Sequence, residues 1–193
     1  RWKYVSGIII RNARIIDGTG NPWFRGDIAV QGESIYQICP QVDNIEGEPP
    51  DRVIDAGDMC VCPGFVDIHT HPDLAVFYKE VEDYKLRQGV TTEVAGNCGW
   101  TAAPMSPETG NLLKDFMAFM TPPSGVAWDW STFGQYLGAV QDSRPATNIA
   151  ALLGHSTVRI AVMGFELRVP TAKELDQMKA LVEDAMEAGA FGL

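Results

Sequence analysis

Histidine, cysteine and positive charge are all scarce in this sequence, and each shortage excludes something. Its 193 residues hold four cysteines, Cys39, Cys60, Cys62 and Cys98. That is too few for a disulfide scaffold in a chain of this length, so they read as thiols of a reducing compartment, which points to the cytoplasm. Lys and Arg number 15 against 25 Asp and Glu, a formal net charge of −10. An acidic chain repels phosphate backbones and anionic headgroups, which argues against nucleic acid or a membrane surface as partner. No apolar run approaches the ~20 residues that span a bilayer. Residues 1–7 lack the apolar stretch of a signal peptide, and no initiator Met opens the chain, which reads as a processed or trimmed start. Apolar residues make up 46% and charged residues 21%, an ordinary globular balance that excludes disorder over the whole chain. The length suits one large domain or one and a half small ones, with a sizeable core.

The first sixty residues read as short strands between turns. Apolar or β-branched runs recur at 7–10, 13–16, 27–30, 34–38, 52–54 and 59–61. Between them lie Asp17-Gly18-Thr19-Gly20-Asn21-Pro22, a cluster of breakers, and a polar loop at 43–50. The pattern predicts a small all-β unit over residues 1–62.

After Pro63 the period changes. Strands are predicted at 64–68, 90–95 and 148–153, and helices at 77–88, 108–120 and 131–141. The last helix has the clearest signature: Thr171 and Glu174 stand at capping-box spacing. Leu175, Met178, Leu181, Val182, Ala185 and Met186 then form one apolar face, and Gly189 stops it. Ala190–Leu193 looks like the opening of a fourth strand. Strand alternating with helix implies a parallel sheet with crossover helices. A (β/α)₈ barrel takes ~250 residues, more than follow Pro63, so the choice lies between an open sheet of four or five strands and about half a barrel.

The strongest chemical signal is Phe65-Val66-Asp67-Ile68-His69-Thr70-His71. Alternation along a strand puts Asp67, His69 and His71 on one face. Both histidines fall at the strand's C-terminal end, where α/β proteins carry their sites. Two imidazoles on one face can share a metal ion; the alternative is a pair of loop histidines satisfied by backbone hydrogen bonds. Cys98, in Gly96-Asn97-Cys98-Gly99, follows the next strand at the same end of the sheet, where a thiolate could complete a mixed N/S site. A small buried thiol is the other reading. Cys62 lies seven residues before His69, ~23 Å in extended chain at ~3.3 Å per residue. Cys60 and Cys62 are therefore expected to be core thiols. His155 follows the third strand and reads equally as a substrate contact or a loop-orienting group. Arg159 reads as loop-fixing, Trp100, Trp128, Trp130, Met117 and Met120 as packing, and the acidic run Glu80, Glu82, Asp83 as a solvated helix face.

Ile10-Arg11-Asn12-Ala13-Arg14-Ile15-Ile16-Asp17-Gly18-Thr19-Gly20 and Pro63-Gly64-Phe65-Val66-Asp67-Ile68-His69-Thr70-His71 resemble the opening of amidohydrolase-superfamily enzymes. Asn21-Pro22-Trp23, Gln88-Gly89-Val90-Thr91-Thr92-Glu93 and Gly96-Asn97-Cys98-Gly99 narrow the resemblance to the N-acyl-D-amino-acid deacylase (D-aminoacylase) group. The resemblance implies the N-terminal portion of a metal-dependent (β/α)₈ TIM barrel at 63–193, preceded by part of a small β-sandwich at 1–62. It implies that His69 and His71 are ligands of one metal position and that Cys98 is a metal-bridging thiolate, with one or two zinc ions. It implies hydrolysis of small-molecule N-acyl-D-amino acids to a carboxylate and a free D-amino acid. The group draws further histidine ligands and a catalytic aspartate from later strands, and this sequence stops before them; the isolated chain is expected to be inactive unless a second chain completes the barrel. The alternatives are a hydantoinase- or dihydroorotase-like cyclic-amide hydrolase, against which Cys98 argues, a non-catalytic subunit, and an open-sheet domain complete in itself.

Overall fold

A computed structural model of the chain describes residues 7–45, 48–79 and 83–193. It divides into two compact units, Arg1–Pro63 and Gly64–Leu193.

The first unit is one mixed five-stranded sheet. Its strands are β1 (Ile8–Ile15), β2 (Phe24–Gln31), β3 (Ser34–Cys39), β4 (Arg52–Asp55) and β5 (Cys60–Val61). The order is β3-β2-β1-β4, with β5 also on β1. The two runs at 7–10 and 13–16 are one strand, bent by a bulge between Ile10 and Ala13. Asn12 takes a positive φ of 57° there. Buried Asp27 holds the bend, accepting from Asn12 N at 3.1 Å and from Val42 N at 3.1 Å. Cys60 and Cys62 are exposed, which corrects the expectation of core thiols. β5 is a two-residue strand beside β1 and buries neither sulfur.

The second unit alternates β and α. Strands β6 (Phe65–Asp67), β7 (Val90–Ala95) and β8 (Asn148–Ala151) are parallel, in the order β6-β7-β8. The helices are α1 (Gly110–Phe116), α2 (Phe133–Ser143), α3 (His155–Met163) and α4 (Ala172–Glu187). One buried cluster joins Leu74, Leu113, Met117, Trp130, Tyr136, Leu153, Val158 and their neighbours. Thr171 and Glu174 form the capping box that their spacing predicts. Residues 190–193 form no assigned strand. Phe191 N nevertheless donates to Ala151 O at 2.9 Å, and Leu153 N to Gly192 O at 2.8 Å, which lays this segment beside β8.

One local expectation fails, and one helix has no counterpart in the sequence pattern. The helix predicted at 77–88 is replaced in its described parts by single 3₁₀ turns, Ala75–Phe77 and Leu86–Gln88. Tyr78 is extended (φ −107°, ψ 91°). Tertiary contacts win over local pattern here: Phe77 stacks on Trp130 at 5.4 Å, and Lys85 turns inward to Asp67. Glu80 and Glu82 lie outside the described residues, as do Glu46 and Gly47 of the polar loop; Asp83 is exposed and paired with Arg87. The unpredicted helix is α3, which the β-branched run Thr157, Val158, Ile160, Val162 conceals. Such residues lower helix propensity, but burial of Thr157, Val158, Ile160 and Met163 outweighs it. Among the described residues, no helix is long and apolar enough to cross a membrane.

Candidate metal centre

Parallel strands aim their C-terminal ends, and the loops that follow, to one side. β6 ends at Asp67, paired with Glu93 of β7, and the chain then leaves the ladder. His69 and His71 therefore sit in the loop just past the strand. The loop is pinned from several sides. His69 N donates to Asp67 Oδ1 at 3.3 Å. Lys85 Nζ bonds Asp67 Oδ2, reaches Thr70 Oγ1 at 3.0 Å, and lies 3.7 Å from Glu93 Oε2. The Lys85 ammonium holds the Asp67 carboxyl below the usual range. Asn97 Nδ2 donates to Val94 O at 2.7 Å and to Thr70 O at 3.3 Å, tying this loop to the one after β7.

The second loop is a tight turn. Gly96 has φ +81°, and a Cβ there would stand 2.1 Å from Leu152 O. Cys98 is also left-handed at φ 57°, a conformation that costs a non-glycine residue ~1–3 kcal/mol. The turn is anchored beyond Trp100 by a reciprocal pair: Thr157 Oγ1 accepts from Thr101 N at 2.9 Å and donates to Thr101 O at 2.8 Å. Strain at Cys98 is thus over-determined by its neighbours, and its thiol is exposed.

These two loops bring His69, His71 and Cys98 together. One ligand atom from each lies within 4.8 Å of the others, and His69 Nε2 is 3.3 Å from Cys98 Sγ. Burial, and then the neighbouring His69, lowers the His71 pKa, so its imidazole is neutral at neutral pH. Trp100 lies beside His71, ring centroids 5.8 Å apart, and meets Phe116 at 5.4 Å and exposed Phe119 at 5.1 Å. The group makes an aromatic wall on one side of the donors.

Four other residues singled out in the sequence stand outside this donor cluster. His155 is exposed at the first position of α3 and is not a member of the three-donor cluster. Arg159 is loop-fixing: its Nη2 donates to Glu166 O at 2.8 Å and to Arg168 O at 2.6 Å. Trp130 and Met117 are core residues.

Asp73 was not singled out by sequence, and only its place after His71-Pro72 hints at it. It is fully buried. Its Oδ1 accepts from Gly96 N at 3.0 Å, and its backbone carbonyl accepts from Tyr136 Oη at 3.0 Å. Burial pushes its carboxyl up to about 7, against the bond from Gly96. Asp73 Oδ2 and His71 Nδ1 are both buried without a hydrogen-bond partner, 3.8 Å apart.

Fold and site together define an α/β protein with histidine and thiol donors gathered at the C-terminal ends of parallel strands. Residues 52–193 match the amidohydrolase family. The chain is 37% identical over 185 residues to N-acyl-D-glutamate deacylase of Alcaligenes xylosoxydans xylosoxydans, covering 96% of this chain and 36% of that protein. It is 37% identical to N-acyl-D-aspartate deacylase of the same organism, covering 96% and 35%. Among solved structures, D-aminoacylase with a binuclear metal centre superposes with a TM-score of 0.78 at 35% identity, covering 98% of this chain and 38% of that one. N-acyl-D-glutamate deacylase from Bordetella bronchiseptica, complexed with zinc and a phosphonate mimic of the tetrahedral intermediate, gives 0.78 at 34% identity and the same coverage. The chain belongs to the amidohydrolase family, and it spans about a third of the length of these relatives.

Proposed function

We propose that this chain supplies the first metal donors of a zinc-dependent hydrolase that cleaves N-acyl-D-amino acids to a carboxylate and a free D-amino acid. The convergence of His69, His71 and Cys98 carries the reading. The donor set fits zinc. Tetrahedral zinc with Zn–N ~2.0–2.1 Å and Zn–S ~2.3 Å sets neighbouring donors about 3.5 Å apart. The His69–Cys98 separation is 3.3 Å. Zinc, when bound, supplies Lewis acidity toward the amide carbonyl and lowers the pKa of water toward ~7.

The chain's own residues do the positioning. His69 and His71 would hold the ion through imidazole nitrogens and Cys98 through its sulfur. Trp100, backed by Phe116 and Phe119, flanks His71. His155 contacts substrate from the start of α3. In this reading β6, β7 and β8 are the first strands of a (β/α)₈ barrel whose first half occupies 63–193, and the sheet within 1–62 is part of a small β-sandwich. The remaining ligands and the catalytic carboxylate come from further barrel strands, on the same polypeptide or on a second chain. The four free thiols support a reducing compartment, for which we propose the cytoplasm. The deacylase names of the relatives and the phosphonate-bound zinc structure support this substrate class.

The test is metal uptake followed by turnover. With Co²⁺ in place of Zn²⁺, a thiolate-to-cobalt charge-transfer band is expected, and Cys98→Ser removes it. The protein with a complete barrel should hydrolyse N-acetyl-D-glutamate, N-acetyl-D-aspartate or an apolar N-acetyl-D-amino acid, and the 193-residue chain alone should not. No metal uptake, or turnover that survives loss of His69 and Cys98, overturns the reading.

A further inference from the structure

The unpaired contact between His71 and Asp73 lies at the edge of the donor cluster. Buried polar atoms nearly always find partners, and two that fail to do so side by side call for an explanation. Their separation of 3.8 Å exceeds a hydrogen bond by under ~1 Å, which a small rotation of the imidazole closes. Asp73 is otherwise held firmly. Its backbone carbonyl takes the Tyr136 hydroxyl, and its Oδ1 takes the Gly96 N–H, two residues before Cys98.

We propose that Asp73 is a positioning residue for the metal centre: Oδ2 accepts from His71 Nδ1–H, while Oδ1 holds the backbone of the turn that presents Cys98. One buried carboxylate thereby sets both ligand-bearing loops. The proton on Nδ1 leaves the Nε2 lone pair as the one directed at the metal. A carboxylate behind a ligating imidazole fixes tautomer and ring orientation and raises ligand basicity. The proposal rests on the zinc reading of the site, and its test separates the two.

Asp73→Asn is the informative change. Its Oδ1 still accepts from Gly96 N, so the turn keeps its anchor. The amide nitrogen replaces Oδ2 and donates to His71 Nδ1, which forces the proton onto Nε2 and removes the lone pair from the metal. The chain has three histidines, so long-range ¹H–¹⁵N correlation of the metal-free protein at about pH 8 resolves each imidazole. Changing His155 to Gln assigns one of them. The expected result is His71 protonated on Nδ1 in the wild type and on Nε2 in Asp73→Asn, with Zn²⁺ affinity lowered ~10–100-fold and circular dichroism unchanged. A wild-type His71 protonated on Nε2, or Asp73→Asn binding Zn²⁺ as the wild type does, overturns the proposal. If the variant does not fold, the wild-type tautomer alone decides. A wild type that takes up no Zn²⁺ overturns the zinc reading, and the tautomer still decides the role of Asp73.

Discussion

The sheet within 8–61 buries its apolar side chains in two small groups: Ile9, Ala29, Val42 and Ile45, and Ala13, Ile15, Ile28 and Ala56. In the α/β unit a single group joins seventeen buried residues from Leu74 to Ala190. The polar contents differ in the same sense. Among the described residues, the sheet buries one charged side chain, Asp27, whereas the α/β unit buries Asp73, Glu93, Thr101, Thr147 and Thr157. A polar group withdrawn from water must find a partner in the protein, and a large core of crossing elements offers more of them. Glu93 takes the Thr147 hydroxyl at 2.8 Å, and Thr101 and Thr157 exchange two bonds. The candidate centre stands on this interlocked side of the chain. In the sheet, backbone ladders do most of the holding.

The sharpest way to break that contrast is a methyl group on a glycine. Gly96→Ala places a Cβ 2.1 Å from Leu152 O at φ +81°, so the backbone after β7 must move and take Cys98 with it. The expected outcome is loss of Zn²⁺ uptake and a large fall in melting temperature. Gly57→Ala in the sheet unit is the matched control, since its Cβ meets nothing within 4 Å and only its φ of +53° resists. That change should cost only ~1–2 kcal/mol. Equal effects from the two alanines would remove the claim that close packing sets the metal loop.

Core truncation comes next. Leu113 and Ile9 are both essentially fully buried, one in the large group and one in a group of four. Large-to-alanine changes in cores cost ~2–5 kcal/mol, and the cost rises where the site cannot collapse. Leu113→Ala should fall in the upper half of that range and Ile9→Ala in the lower half, measured by urea denaturation. Thr157→Val is expected to be milder. It keeps shape but leaves Thr101 N and O unpaired, at ~1–3 kcal/mol. A neutral result would mean water satisfies Thr101 once the hydroxyl is gone.

Sequence legibility follows how local the cause is. The helix of 172–187 is readable because its cap and its apolar face lie within a few residues of one another. The Asp67-x-His69-x-His71 alternation and the placing of Cys98 after the next strand are readable because strand period and sheet polarity are local rules. That these three side chains come within 4.8 Å depends on two loops folding toward each other, through Asn97 and Lys85, which no period announces. Asp73 is silent for the same reason, its partners being Gly96 and Tyr136. The α3 helix is hidden by β-branched residues whose burial overrides propensity, and the 77–88 pattern misleads because Phe77 and Lys85 serve distant partners. Cys60 and Cys62 mislead because their burial depends on how the two-residue strand β5 and the segment after it lie against the sheet, which the local pattern does not announce.

The smallest effect expected concerns a purely local device, the capping box of α4. Glu174 accepts from Thr171 N at 2.7 Å and pairs with Arg168, whose Nη1 and Nη2 reach its two oxygens at 2.7 and 2.6 Å. The Arg168 guanidinium first, and then the Thr171 backbone and hydroxyl, hold the carboxyl far below the usual range. A carboxyl depressed in the folded state stabilises the fold wherever it is ionised. That contribution is therefore fully present above the unfolded pKa of ~4.3 and declines as pH falls from there through the folded value. Because the pair is solvated, the gain is small and salt-sensitive. Glu174→Gln should lower the melting temperature slightly at pH 6, and the gap to wild type should narrow at pH 3 and shrink at pH 6 in 1 M NaCl. A gap independent of both pH and salt would assign the helix start to the Thr171 hydroxyl alone and leave the Arg168 pair without energetic weight.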